Sequence, residues 1–386
     1  MDNPLEARSP PPPQLDDEAP QPLSSLPTEI LQRIIQLSLP RLSYKTFRER
    51  YDILLILCRV NKRWAALAQR ELYSHVWLNH EVAGAAFLVN YSSSLASRTK
   101  SLRLNEEHPS PLKGVKSPSM ENLMRVLPSL RELHLITKPD TSFDQLRVDL
   151  DALSRSCRVL ETLVMDYCVI DPSPHVAPLQ LSSLRHLVLS YFCEKSDPAA
   201  ILETAQLPQL KSLVLIQGTQ IGQDGFDRLT TALLRHAPRL KSFTLSFFEQ
   251  DDQYHLPDGF CSALTSLEIL VLDHNYSIPS ILPLLPAPLR RLRIRPPFRN
   301  SEPLTFQPLI EGLKRSPPCT KSLKEILLPP TEASPETTPG PSLTEIQEER
   351  VKVDEICQQL GVAVVTVRRF EFENFMDHLE EALDFQ

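Results

Sequence analysis

Residues 184–215 read LRHLVLSYFCEKSDPAAILETAQLPQLKSLVL, and this stretch decides the fold. It opens and closes on one pattern, Leu184-x-x-Leu187-x-Leu189 and Leu210-x-x-Leu213-x-Leu215, 26 residues apart. The fourth and sixth positions of each run are two residues apart, so on an extended chain they share one face and their neighbours share the other. A single strand of this kind cannot bury its leucines. Stacked copies can, each strand pairing in parallel with the next.

The pattern returns on both sides. Its first positions are Thr99, Leu130, Leu160, Leu184, Leu210, Leu240, Leu267, Leu289 and Leu323, at intervals from 22 to 34 residues, and Tyr73-x-x-Val76-x-Leu78 fits as one further copy upstream. A period in the twenties headed by L-x-x-L-x-L resembles the leucine-rich-repeat family from about residue 73 to 370. The ninth position, where that family places an Asn or Cys, holds Cys168 and Asn275 but elsewhere Lys138, Phe192, Gly218, Phe248 and Pro297. The intervening segments Glu121–Leu127, Leu146–Cys157 and Phe226–His236 read as helices for an outer layer, and the long interval before Leu323 reads as a looped insertion. Residues 329–342 (PPTEASPETTPGPS) read as a flexible excursion. After it, Leu343–Leu360 has helical periodicity, Val362–Val367 is β-branched enough for a last strand, and residues 371–386 suit a capping segment for the repeat array.

The chain begins differently. Residues 1–22 hold seven prolines and a few acidic residues, the composition of a disordered tail. From Ser24 to Leu78 the spacing turns helical. Ser24 and Ser25 can cap, Pro27 suits an early helical position, and Ile30, Ile34 and Leu37 recur in steps of three and four, with Leu31 and Ile35 widening the stripe. A second pattern runs through Leu54, Leu57, Cys58, Trp64, Leu67 and Leu72, with the basic run Arg59–Arg63 inside it. The result has more apolar face than two short helices can hide from each other.

The Leu26-Pro27-x-Glu29-Ile30-Leu31 opening, Ile34-Ile35, and Cys58-Arg59-Val60-Asn61-Lys62-Arg63-Trp64 followed by Leu67-Ala68 resemble the F-box, over residues 23–72. Between Leu39 and Ile53 this chain has a longer, charged stretch than the compact form of that module. The resemblance implies that the apolar face docks on a Skp-type adaptor, with Leu26, Pro27, Ile30, Leu31, Ile34, Ile35, Val60 and Trp64 touching the adaptor or supporting the contact. Trp64 fits equally well as the core anchor of the helical unit. The expected class is therefore α/β: a leucine-rich-repeat solenoid, with parallel strands on its concave face and helices and loops outside, preceded by a small all-α F-box.

Composition narrows the function. The 386 residues carry a net charge of −7, which does not point to nucleic acid. No apolar run is long enough for a membrane span, and the Pro-rich acidic start is no signal peptide. The seven cysteines are scattered without a C-x-x-C pair and read as reduced thiols of a cytoplasmic or nuclear protein. Thirty-six prolines against nine glycines give many fixed corners and little room for phosphate-cradling loops. No nucleophile elbow, Walker loop, dinucleotide fingerprint or H-E-x-x-H is present, and the ten histidines lack metal-ligand spacing. Neither an enzymatic activity nor a cofactor or metal is expected.

On the strands, residues flanking the fourth and sixth positions should face the concave side. The candidate substrate surface is Asp166, Val188, Val214 and Asp273, with Arg291, Arg293 and Arg295 at its basic end and the aromatics Tyr167, Tyr191, Phe247 and Tyr276 beside it. The arginines either take an acidic or phosphorylated segment or form a solvated face paired across strands with Asp273; the aromatics either anchor a partner or close the rims between repeats. An F-box followed by such repeats resembles the substrate receptors of Skp–cullin–F-box ubiquitin ligases, which implies an adaptor, through it a cullin, and a protein substrate as partners. A leucine-rich-repeat scaffold acting outside any ligase is the alternative.

Overall fold

The computed structural model describes residues 26–43, 45–78, 97–106, 124–137, 147–170, 178–190, 198–217, 223–247, 258–273, 281–286, 288–295, 305–315, 317–331 and 342–367. The expected tail at 1–22, the capping segment at 371–386, Ser24, Ser25, Tyr191 and Tyr276 lie outside these residues, as does most of the 329–342 excursion. The chain divides into two compact units, Met1–Gln69 and Arg70–Gln386.

The first unit is built on helices Thr28–Ser38, Phe47–Leu57 and one that begins at Lys62 and runs to Ser74. Three helices thus stand where the sequence suggests two. The break lies in the basic run: Asn61 Oδ1 accepts hydrogen bonds from the amides of Arg63 and Trp64, both at 3.0 Å, and so caps a fresh helix start. The second half of the charged stretch after Leu39, from Phe47 on, is itself helical. Phe47 is buried and stacks on Tyr51 at 4.9 Å, while Arg50 donates to the Pro40 carbonyl at 3.0 Å. Pro27 caps the first helix from outside, with ψ of 149° and its carbonyl accepting the Leu31 amide at 3.1 Å. That helix ends at Leu39, whose extended backbone suits the residue before Pro40. Leu31, Ile35, Leu39, Phe47, Leu54, Leu67 and Ala68 are the unit's buried apolar residues.

The second unit is organised on an eleven-stranded, wholly parallel sheet. In chain order its strands are β1 His75–Leu78, β2 Ser101–Glu106, β3 Glu132–Thr137, β5 Thr162–Asp166, β7 His186–Ser190, β8 Ser212–Gln217, β9 Ser242–Phe247, β10 Ile269–Asp273, β11 Arg291–Arg295, β12 Glu325–Leu328 and β13 Ala363–Thr366. The short β4 Arg147–Val148 and β6 Val169–Ile170 pair separately. Every run with the leucine pattern lands on a strand, and the registers align their fourth positions into one row. Leu102, Leu133, Leu163, Leu187, Leu213, Phe243, Leu270, Leu292 and Ile326 are all buried in it. The first positions, from Leu130 to Leu323, are buried with them.

A repeated hydrogen bond locks each copy to the next. The carbonyl at the second position accepts two amides of the following repeat: Lys100 from Arg131 and Glu132, Arg131 from Glu161 and Thr162, Glu161 from Arg185 and His186, and so on to Arg290, which takes Lys324 and Glu325. These bonds satisfy the backbone amides at the entry of each repeat strand from β3 to β12.

Helices Leu150–Ser156, Pro198–Thr204, Gln223–Leu234, Asp258–Ala263, Gln307–Lys314 and Leu343–Leu360 pack their buried faces into the same core as the leucine rows. Two readings shift. Leu146–Cys157 is not one helix, because Arg147–Val148 is extended and Asp149 starts the helix by accepting from the amides of Asp151 and Ala152. The interval before Leu323 carries a helix, Gln307–Lys314, whose Leu309, Ile310 and Leu313 are buried, and a 3-10 turn at Pro318–Lys321. Leu343–Leu360 has a reciprocal Ser342–Glu345 capping box at its start and Gly361 at φ 72° at its end. β13 then adds to β12 as the last strand.

Candidate interaction surfaces

In the helical unit the stripe splits between core and surface. Leu31 and Ile35 are 0 % and 1 % exposed, so their side chains are spent on the unit's own core and are not available for direct adaptor contact. Ile30 and Val60 are 48 % and 56 % exposed, Pro27 is exposed, and Leu26, Ile34 and Trp64 are half-buried. Leu37, part of the apolar stripe but not of the expected adaptor contacts, is 69 % exposed, and Leu55 and Ile56, which sequence reasoning missed, are exposed as well. Helical spacing could have found the last two once the Phe47–Leu57 helix was placed. Single exposed apolar residues are ordinary, but Ile30 and Leu37, two turns apart, share one face of their helix. Arg63 ties the opening of the unit to its close, its Nη2 donating to the Leu26 carbonyl at 2.6 Å and to Thr28 Oγ1 at 3.0 Å.

In the repeat unit, the face turned away from the leucine core differs from expectation. The fifth positions form a second row, Arg103, His134, Val164, Val188, Val214, Thr244, Val271 and Arg293, and all are buried. So are Asp166, Ser190, Ile216, Ser246 and Arg295 one pleat further. Asp166, Val188, Val214, Arg293 and Arg295 are therefore not an open substrate surface. Alternation predicts the side to which a residue projects, not whether that side meets solvent. Asp273 and Phe247 lie on β10 and β9, but their side chains fall outside the described set.

Burial sets the electrostatics of this face. It lowers the Arg293 guanidinium to about 9, with Arg295 adding repulsion. It holds His134 well below its ordinary value, with Arg103 acting the same way. Burial pushes the Asp166 carboxyl well above the ordinary carboxylate range, opposed in part by the neighbouring Ser190 hydroxyl. Tyr167 follows Asp166 in a left-handed conformation at φ 51°, which for a tyrosine is strained, and its amide donates to Ser190 O at 3.1 Å. Accessible residues occur along the strand starts, where Glu132, Thr162, His186, Ile269, Arg291 and Glu325 are half-buried and Arg291 pairs with Glu325.

Just before them runs a charged row that the leucine spacing conceals: Lys100, Arg131, Glu161, Arg185, Lys211, Lys241, Glu268, Arg290 and Lys324 at the second positions. Arg131 bonds Glu161 at 3.0 Å and Lys241 bonds Glu268 at 2.7 Å. Among the described residues no group of three or more His, Cys, Asp or Glu is placed to hold a metal, and no helix is long and apolar enough to cross a membrane.

No protein-family model matches the sequence, and no curated protein matches it. Among solved structures the chain is similar to one in the crystal structure of the Rad7 and Elc1 complex in yeast. The TM-score is 0.42 at 14 % identity, over 88 % of this chain and 86 % of that one.

Proposed function

We propose that the chain is the substrate-recognition subunit of a Skp–cullin–F-box ubiquitin ligase, acting in the cytoplasm or nucleus. The N-terminal unit docks on a Skp-type adaptor and through it a cullin, and the repeat unit holds a protein substrate. The observation that carries this is the exposed apolar set Ile30, Leu37, Leu55, Ile56 and Val60 on a three-helix unit bearing the Leu-Pro opening and the Val60-x-x-x-Trp64 close. Such a set is stabilised by a partner that removes it from water. The chain itself does no chemistry. It raises the local concentration of substrate beside a ubiquitin carrier, which converts an encounter between two molecules into one within a complex.

The experiment is co-purification of the full chain with a Skp-type adaptor, parent against a Leu26→Ala, Pro27→Ala variant. Capture by the parent and loss in the variant supports the reading. A parent that fails to bring down adaptor removes it, and a repeat scaffold outside any ligase takes its place.

A further inference from the structure

Outside the surfaces above, the repeat unit has a recess of about 850 Å³ between the ends of successive outer helices. Its walls include Arg155 at the end of helix Leu150–Ser156, Arg158 in the turn after it, and Arg235 and Arg239 after helix Gln223–Leu234. Gln180 and Gln206, joined by an isolated parallel bridge, line it as well. One carboxylate is present, Asp151, and it is bound to Arg155 at 3.0 Å.

Basic residues at helix ends ordinarily serve the helix, because the last carbonyls carry partial negative charge. Two of the four do so here. Arg155 pairs within its own helix, and Arg235 donates to the Glu203 carbonyl at 2.9 Å, at the end of helix Pro198–Thr204. Arg158 and Arg239 do neither, and among the described residues neither has an ion pair. Elsewhere along this edge Arg131, Arg228, Lys241 and Arg290 each meet a glutamate. The adjoining charged row is also unbalanced at this level, since Arg185 and Lys211 follow Glu161 and the next carboxylate is Glu268. The positive field reaches inward: His236, buried at the recess, is held below its ordinary value first by burial and then by Arg235 and Arg239, against the Leu202 carbonyl. In a chain of net charge −7, this is a local reversal of sign.

We propose that this recess binds a small-molecule phosphate monoester, its dianionic head held by Arg158 and Arg239. Two guanidinium forks match the charge of a dianion and the oxygens of a phosphoryl group, and the volume lies within the range of small-molecule sites. The assignment is independent of the ligase reading, and adaptor capture is expected to be unchanged by substitutions here.

The test is titration calorimetry of the full chain at pH 8 and low salt with phenyl phosphate, phenyl sulfate and inorganic phosphate, and with a short peptide carrying one phosphoserine. Phenyl phosphate should bind at least about tenfold more tightly than phenyl sulfate, which has the same ring and one charge fewer. Binding should weaken below pH 6 as the phosphate takes up its second proton. Arg158→Gln and Arg239→Gln should each cost about tenfold with an unchanged melting temperature, both side chains being exposed, while Arg131→Gln should have no effect. Equal binding of phosphate and sulfate esters, or unchanged binding in both glutamine variants, overturns the site. Inorganic phosphate binding as tightly as phenyl phosphate overturns the monoester assignment, and the phosphopeptide binding more tightly than either overturns the small-molecule one.

Discussion

In the N-terminal unit the apolar stripe of one helix is divided between two jobs, and adjacent residues separate them. Ile30 is 48 % exposed and Val60 is 56 % exposed, whereas Leu31 is fully buried. Fully burying a large aliphatic side chain is worth about 1.5–3 kcal/mol, so covering the exposed half of Ile30 or Val60 contributes about 1 kcal/mol each. The Ile30→Ala, Val60→Ala variant should therefore lose about 2 kcal/mol of adaptor binding, on the order of thirtyfold in Kd. Its unfolding free energy should stay within about 0.5 kcal/mol of the parent. Leu31→Ala should do the reverse, removing about 2–5 kcal/mol of folding stability through a core cavity. Biolayer interferometry with purified Skp-type adaptor reads the loss of binding, and urea unfolding followed by circular dichroism reads the stability. The reasoning is refuted if the double variant unfolds as early as Leu31→Ala, or if it binds adaptor with the parent's affinity.

Three further outcomes follow from buried and strained groups in the repeat unit. Burial raises the Asp166 carboxyl, so the native state keeps that proton to higher pH than the unfolded chain does. The contribution is fully present below the ordinary carboxylate value of 3.8 and is lost as pH rises through the native one. Asp166→Asn should accordingly match the parent in urea midpoint near pH 4 and exceed it at pH 8; a constant difference would show that the carboxyl is not buried. Gly361→Ala should lower stability by about 1 kcal/mol, because φ is 72° and no heavy atom within 4 Å would oppose the added methyl, leaving the cost to conformation alone. Thermal melting checks it, and Gly361→Asn should cost less. Burial drives the thiols of Cys157 to about 12 and of Cys319 and Cys357 to about 11, so iodoacetamide at pH 8 should leave all three unmodified in the native protein and label them in urea, as read by peptide mass mapping.

The repeat was legible because a leucine pattern with period two inside a run and a period in the twenties between runs has one cheap solution, a parallel stack. The residues carrying it are the very ones that fill the buried rows. Boundaries set by single polar side chains were harder to read. Asn61 begins a third helix inside a basic run, and Asp149 caps a helix that starts at Leu150, four residues later than periodicity alone places it. Both are side-chain caps, local hydrogen bonds that override a smooth hydrophobic period. The charged second-position row was present in all nine copies from Thr99 to Leu323 but carries no apolar signal, so a search for leucines passes over it.

The inner face of the sheet was misplaced for a reason visible in its own residues. Strands solvated on one face alternate apolar with polar, as Ser242-Phe243-Thr244-Leu245 and Arg291-Leu292-Arg293-Ile294 do, but Leu187-Val188-Leu189 and Ile269-Leu270-Val271-Leu272 run apolar through both faces, as in a parallel sheet covered on both sides. Val188 and Val271 are buried accordingly, and Arg293 among them titrates near 9 because it has left water. A partner of the repeat unit would thus meet the strand starts, with half-buried Glu132, His186 and Arg291, and the charged row just before them, where side chains reach solvent without desolvating an arginine first. Substitutions at Arg291, Arg185 and Lys211 are expected to weaken partner binding in a salt-dependent way, whereas Arg293→Ala should act through stability. Binding and unfolding measured on the same variants distinguish the two, and equal salt-dependent losses of binding at Arg293 and Arg185 would put the recognition surface back on the inner face.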